Sequence, residues 1–232
     1  MPEQSLTQAR ERHDYERTAS IISAALSLVG SSDLAMKGLN AAVKRGVKTP
    51  QQQQTADWLR NYTAPGNPGS IFFKNISRLH PNIRKGFVAG MLANFFLRDP
   101  EFTEALLAER GISSPTAILI SPSMRCNLQC VGCYASEYTA EEELTEEEVE
   151  SIINQGEAIG SRVYVMLGGE PFVWPHLLDV AERHPHSVFL VFTNATMIND
   201  RVADRLLEVG NVCPTISIEG SRESTDARRG AG

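Results

Sequence analysis

Apolar residues in the first half of the chain fall at helical spacing. Ile21, Ile22, Ala25, Leu26 and Val29 recur at three- and four-residue steps, and Leu34, Leu39, Ala42 and Val43 suggest a second helix interrupted by Gly38. Residues 64–70, APGNPGS, are rich in turn formers and read as a connector between helical pieces. The longest apolar run is FVAGMLANFFL, residues 87–97. It falls well short of the roughly 20 residues that a helix needs to cross a bilayer. A last helix of this half is expected after Asp99-Pro100, with proline in its first turn, ending near Arg110 where Gly111 stops it.

Past Ser113-Ser114-Pro115 the period changes. Short apolar runs now alternate with amphipathic ones: AILIS, a loop and TEEEVESIINQGEAIG; RVYVML, a loop and PHLLDVAERH; VFLVF, a loop and DRVADRLLEVG; then PTISI, a loop and the polar SRESTDARRGAG, which begins another helix. Thr145 stands as an N-cap with Glu148 three residues on, the pattern of a capping box. Strands alternating with helices at this spacing predict parallel strands joined by right-handed crossovers. The expected fold class is α/β, with a helical N-terminal region over residues 1–112 and a strand–helix domain over residues 113–232. In such folds the chemistry gathers in the loops after the C-terminal ends of the strands.

Composition narrows the function more than the fold. With 42% hydrophobic and 22% charged residues the chain is ordinary globular material, and a net charge of −6 argues against a surface built for nucleic acid. No nucleic-acid partner is implied. Lys74, Arg78, Arg84 and Lys85 precede the apolar run at 87–97, which sets an interfacial membrane contact against a buried core helix; the core helix is the preferred reading. The chain opens on the polar MPEQSLTQARERHDYERT instead of a secretory signal, so the expected location is cytoplasmic.

Three of the four cysteines, Cys126, Cys130 and Cys133, lie in RCNLQCVGCYA. Three thiols cannot pair among themselves, and clustered thiols inside a cell usually serve metal or redox chemistry. The spacing C-x3-C-x2-C lacks the second pair of ligands that a zinc site commonly takes. Three cysteines hold three irons of a four-iron cluster and leave one iron open, whereas an electron carrier usually uses four. Cys213, at the start of the fourth strand and far from the loops, reads as a core thiol. Further polar residues fall on the same rim: Gly168-Gly169-Glu170-Pro171 after the second strand, Thr193-Asn194 after the third, and Ser217 with Glu219-Gly220 after the fourth. Elsewhere plainer roles suffice. Glu141, Glu142, Glu143, Glu146, Glu147 and Glu148 read as a solvated helix start, His176, His184 and His186 as exposed or capping groups, and Phe172 and Trp174 as packing residues.

The cysteine motif after a first strand, followed by GGEP after a second, closely resembles the radical S-adenosylmethionine (radical SAM) enzymes, over residues 115–232 or about half the chain. The resemblance implies a partial parallel (β/α) barrel, a four-iron four-sulfur cluster and S-adenosyl-L-methionine as cofactors. In that family the open iron chelates the cofactor, and one electron cleaves its sulfonium to a 5′-deoxyadenosyl radical that abstracts hydrogen from a substrate. Residue by residue, Cys126, Cys130 and Cys133 match the cluster ligands, and Gly168, Gly169 and Glu170 match the strand end that meets the cofactor's ammonium. Ser217 and Glu219 resemble the pair reaching its ribose or carboxylate, Asn194 the family's TNG-type turn, and Arg229 the arginine that pairs with the carboxylate. The aromatic residue that many members place before the third cysteine is Gly132 here, with Tyr134 two residues later as the candidate beside the adenine. The family's core has six strand–helix units and this chain shows four, so the parent protein is expected to continue with at least two more. A reducing partner such as flavodoxin or ferredoxin and a peptide, cofactor precursor or lipid as substrate are implied with it. The competing reading is a non-enzymatic metal module, structural zinc or an electron-transfer iron–sulfur protein, which has no use for GGEP, TNAT and SIEG.

Overall fold

The computed structural model describes residues 50–62, 66–76, 78–88, 100–137 and 143–230, together with Ala41, Ala64, Gly90, Met91 and Asn94. The helix expected at 21–29, that expected at 34–43 apart from Ala41, most of the run at 87–97, and Glu141 and Glu142 lie outside these residues. Helix α1, Pro50–Tyr62, carries too few apolar residues for its period to be seen in the sequence, and Trp58 stacks on Tyr62 across one of its turns with ring centroids 4.9 Å apart. Helix α2, Pro68–Ile76, corrects the connector expected at 64–70. Asn67 accepts from the Gly69 amide at 3.0 Å, so Pro68, Gly69 and Ser70 already belong to the helix's first turn. Helix α3, Pro100–Arg110, has the expected bounds, and Gly111 ends it with φ +67°.

The second half is strictly alternating. Strand β1 (Ile118–Ile120) leads to α4 (Glu146–Ala158), β2 (Val163–Met166) to α5 (Leu177–Arg183), β3 (Val188–Thr193) to α6 (Asp200–Val209), and β4 (Val212–Ile216) to α7 (Arg222–Arg229). All neighbours pair in parallel in the order β1-β2-β3-β4, with Leu119, Val165, Leu190 and Cys213 abreast. This is the expected α/β arrangement, parallel strands joined through helices. Strand β4 starts at Val212, two residues before the expected PTISI, and takes Pro214 into its ladder. An edge strand tolerates a residue with no amide hydrogen. At α4 the Thr145 hydroxyl accepts from the Glu148 amide while the Glu148 carboxylate accepts from the Thr145 amide, which is the predicted box.

Alternation along the strands gives the sheet two unlike faces. Ile120, Tyr164, Met166, Phe189, Val191 and Val212 face the helices, where Val149 and Ile153 of α4, Leu177 and Val180 of α5 and Leu206 of α6 close over them. Each such side chain contributes roughly 1.5–3 kcal/mol by leaving water. The opposite parity, led by Leu119 and Phe192, stays 65% and 45% exposed. Two polar ties brace the helical layer. His184 forms the C-cap of α5, as expected of a capping residue, yet its ring is buried, with Nε2 3.0 Å from Glu150 and Nδ1 3.2 Å from Glu157. The Asn211 amide nitrogen donates to the carbonyls of Ala181, His184 and Ser187, each at 2.9 Å.

The N-terminal ends of the strands are met by residues 80–88, a short turn Pro81–Ile83 running into a π-helical turn Arg84–Val88. The Phe87 amide donates to Gly210 O at 2.9 Å, and a Cβ added to Gly86 would stand 2.5 Å from that same oxygen. Glycine is required there by close approach. No helix among the described residues is long and apolar enough to cross a membrane.

Candidate metal centre

The loop after β1 carries Cys126, Cys130 and Cys133, and the ends of β2 and β3 together with helix α7 hold it. Its stem lies against the end of β2. Leu167 N donates to Ile120 O at 2.8 Å, Gly169 N to Ser123 O at 3.1 Å and Glu170 N to Arg125 O at 2.9 Å, which continues the parallel pairing beyond the strands themselves. A Cβ on Gly168 would sit 2.2 Å from Ser123 O, and one on Gly169 would sit 2.2 Å from Arg125 O. The close approach these glycines permit is therefore to the cysteine loop's own backbone. Ser123 supports the same turn by accepting from the Arg125 amide at 3.1 Å, and the Arg125 guanidinium pairs with Glu143 at 2.6 Å.

Glu170 is 1% exposed and sits at the centre of the rim. Its carboxylate accepts from Phe172 N at 3.1 Å, Thr193 Oγ1 at 2.7 Å and Asn194 N at 2.8 Å, so it fastens the end of β3 to the end of β2. A carboxylate has about four acceptor positions, and three are filled from within the fold. From β3, Asn194 reaches the cysteine loop through Asn127 at 2.9 Å and Cys126 Sγ at 4.0 Å. From α7, Arg228 O accepts from Val131 N at 2.8 Å, between the second and third cysteines. The structure thus gathers Cys126, Cys130, Cys133, Gly168, Gly169, Glu170 and Asn194, and adds Asn127, Thr196 and Arg228, which the sequence reading passed over. Asn127 directly follows the first cysteine and Thr196 follows Asn194 by two residues; their partners are far away in sequence, so no local pattern marks them.

The remaining candidates form a second group. Glu219 Oε1 accepts from Arg228 at 2.6 Å and from Arg229 at 2.6 and 2.9 Å, and the Arg229 hydrogen bond is the main reason its carboxyl lies below the usual carboxylate range. Glu219 and Arg229 are each other's partners here. Ser217 donates its amide to Thr193 O at 2.9 Å, holding the start of this segment on β3. The Tyr134 hydroxyl donates to Gly168 O at 3.3 Å, and its ring is largely exposed over the rim.

The donor set suits a cationic iron–sulfur cluster. The four cysteines form no disulfide. Burial raises the Cys126 thiol above its ordinary value, and the negative neighbours Glu170, Cys130 and Cys133 raise it further against the Leu128 amide, which donates to its sulfur at 3.4 Å. Bound irons would relieve that crowding of negative groups. Among the described residues, no three His, Cys, Asp or Glu side chains converge as ligands of a single ion do. Thiolates that each hold a different iron of a cluster have no need to.

Residues 120–232 match the sequence profile of the Radical SAM superfamily. This half of the chain is a radical SAM domain. Among curated proteins it is similar to Fe-coproporphyrin III synthase of Methanosarcina barkeri, 32% identical over 137 residues, a match covering 57% of this chain and 34% of that protein. A probable GTP 3′,8-cyclase of Thermococcus kodakarensis is 32% identical over 91 residues, covering 38% of this chain and 30% of the cyclase. The chain spans about a third of the length of the curated relatives it matches. Among solved structures, Streptococcus suis SuiB bound to S-adenosylmethionine aligns with a TM-score of 0.48 at 20% identity, over 84% of this chain and 41% of SuiB. The radical SAM domain's glycine pair, buried glutamate and cysteine loop are thus one hydrogen-bonded unit.

Proposed function

We propose that the chain belongs to an enzyme that binds a four-iron four-sulfur cluster and S-adenosyl-L-methionine and generates a 5′-deoxyadenosyl radical. The observation that carries this reading is the placement of Cys126, Cys130 and Cys133 on one loop at the rim where the strands end, within the span that matches the superfamily. When bound, the cluster supplies the electron that cleaves the cofactor's sulfonium, and the resulting radical takes a hydrogen atom from the substrate.

The chain's own residues hold and orient. The three thiolates bind the cluster. Gly168 and Gly169 let the cysteine loop lie close on the end of β2, and the Glu170 carboxylate holds the ends of β2 and β3 in one arrangement, with one acceptor position left for an ammonium donor. Tyr134 offers an exposed ring for adenine beside Gly168 O, while Ser217, Glu219 and Arg229 stand on the β4 side for the ribose and carboxylate. The two regions, 1–112 and 113–232, divide the labour: the second carries the radical chemistry, and residues 80–88 of the first support the N-terminal ends of its strands. A cofactor precursor is the preferred substrate class, supported by the names of the curated relatives; a one-electron donor of the flavodoxin or ferredoxin type would serve as reductant.

Anaerobic purification and reconstitution with iron and sulfide tests the reading. About four irons per chain are expected in the wild type and in Cys213→Ala, and loss of the cluster in Cys126→Ala, Cys130→Ala or Cys133→Ala. Reduction with dithionite in the presence of S-adenosylmethionine should yield 5′-deoxyadenosine. Stoichiometric zinc without iron, or full iron in Cys130→Ala, would overturn it.

A further inference from the structure

Three polar side chains on the rim form a closed ring. Asn194 Nδ2 donates to Asn127 Oδ1 at 2.9 Å, Asn127 Nδ2 donates to Thr196 Oγ1 at 2.8 Å, and Thr196 Oγ1 donates to Asn194 Oδ1 at 2.7 Å. Every group in the ring both gives and receives, so the bonds polarise one another in one sense. The ring also fixes which way the amide of Asn194 points. The Thr196 amide, 2.9 Å from Asn194, can only donate, so the atom facing it is the carbonyl oxygen, and the NH2 group is turned to the cysteine loop. That NH2 has two hydrogens. One serves Asn127, and the other lies toward Cys126 Sγ, 4.0 Å from the nitrogen.

The backbone is shaped to present this group. Ala195 has φ +64° and is the one non-glycine with positive φ among the described residues; its amide is held by Thr193 Oγ1 at 2.9 Å. A left-handed alanine is strained and persists where its surroundings over-determine it. Here the surroundings are the buried Glu170, which takes the Asn194 amide and the Thr193 hydroxyl. A strained turn thus aims a side-chain amide at the sulfur of the first cysteine, beside the Leu128 amide that already donates to it at 3.4 Å.

We propose that Asn194 tunes the reduction potential of the cluster by donating an N–H to the Cys126 sulfur, with Asn127 and Thr196 as the positioning residues that aim it. This inference rests on the reading of Cys126 as a cluster ligand. A donor to a ligating sulfur stabilises the extra negative charge that the cluster gains when a one-electron reductant delivers its electron, so the bond raises the potential and eases reduction. Sequence position alone would place Asn194 only in a turn.

The test is a redox titration followed by electron paramagnetic resonance, on the reconstituted chain without S-adenosylmethionine, in the wild type, Asn194→Ala and Asn127→Ala. Both variants should carry wild-type iron and lower midpoint potentials. At fixed potential the ratio of reduced to oxidised cluster should fall about threefold in Asn194→Ala, about 28 mV for a one-electron couple, and less in Asn127→Ala, where the donor remains but loses its aim. Asn194→Ser keeps an oxygen for the Thr196 amide and lacks the NH2, so the same fall is expected if the alanine variant does not hold its loop. A merely structural asparagine would change iron content or stability and leave the potential of the assembled cluster in place. Wild-type potentials in Asn194→Ala or Asn194→Ser at full iron content would overturn the proposal. A wild-type chain that assembles no cluster would instead overturn the reading on which it rests.

Discussion

Gly169→Ala isolates what the glycine pair does for the cysteine loop. Gly169, unlike Gly168, has a φ outside the left-handed region, so alanine meets no backbone strain there and only the space matters. The added Cβ would stand 2.2 Å from Arg125 O, 2.5 Å from Arg125 C and 2.5 Å from Met124 O, all backbone atoms of the loop stem. Ordinary contact begins near 3.4 Å, so the stem must retreat by about 1.2 Å, the difference between 3.4 and 2.2 Å. A shift of that size breaks Gly169 N to Ser123 O and Glu170 N to Arg125 O. Two such bonds are worth about 1–3 kcal/mol together, and overpacking costs about 1–3 kcal/mol where the stem resists, so the loss is about 2–6 kcal/mol. Urea denaturation measures it in the iron-free chain, and iron content after reconstitution reports the displaced loop. Gly132→Ala is the contrast: its Cβ meets nothing within 4 Å, and φ +69° leaves a conformational cost of about 1 kcal/mol. Wild-type stability and iron content in Gly169→Ala would refute the argument that the pair serves the loop.

Two further predictions concern the helical layer. Burial works against the charged His184 ring, but hydrogen bonds to Glu157 and Glu150 outweigh it and raise its pKa above the ordinary imidazole value; burial of the two carboxylates is likewise outweighed, for Glu157 by hydrogen bonds from His184 and Ser187 and for Glu150 by those from Arg183 and His184, which hold both below the carboxylate range. The imidazolium's stabilisation is fully present below about pH 6.5 and lost as pH rises through the folded value; that of the two carboxylates is present above about pH 4.3 and lost as pH falls through theirs. The urea midpoint should therefore decline on going from pH 6 to 8, and His184→Asn should flatten that decline; an equal decline in the variant would sink the assignment. Asn211→Ala leaves the carbonyls of Ala181, His184 and Ser187 without their shared donor and should cost about 2–4 kcal/mol in the same assay, with a loss under about 1 kcal/mol contradicting it.

The order of strands and helices after Pro115 was legible because each strand run is short, apolar and bounded by a helix with its own caps: Thr145 and Glu148 for α4, Gly210 for α6. Helix α1 was not, since PQQQQTADWLRNY offers almost no apolar period and helix propensity is a weak signal alone. Pro68-Gly69-Ser70 looked like a connector because its residue types suit turns, and the deciding contact, the Asn67 cap, depends on geometry. The site divides in the same way. The cysteines and GGEP announce themselves by spacing, whereas the Asn127, Asn194 and Thr196 ring joins positions 67 to 69 residues apart. His184 shows the limit for single residues: nothing beside it in sequence announces Glu150 and Glu157, 34 and 27 positions away, that make a buried imidazolium acceptable.

The cysteine loop is pinned at Ser123 and Arg125 by β2, at Asn127 by β3 and at Val131 by α7. Between these anchors no stretch longer than about four residues is left to its own conformational freedom. Fixing a residue's backbone costs roughly 1–2 kcal/mol in entropy, and for this loop hydrogen bonds to the surrounding fold offset that cost. A ligand loop held in this way by its neighbouring elements differs from those of the small zinc domains, in which metal binding and chain ordering are one event.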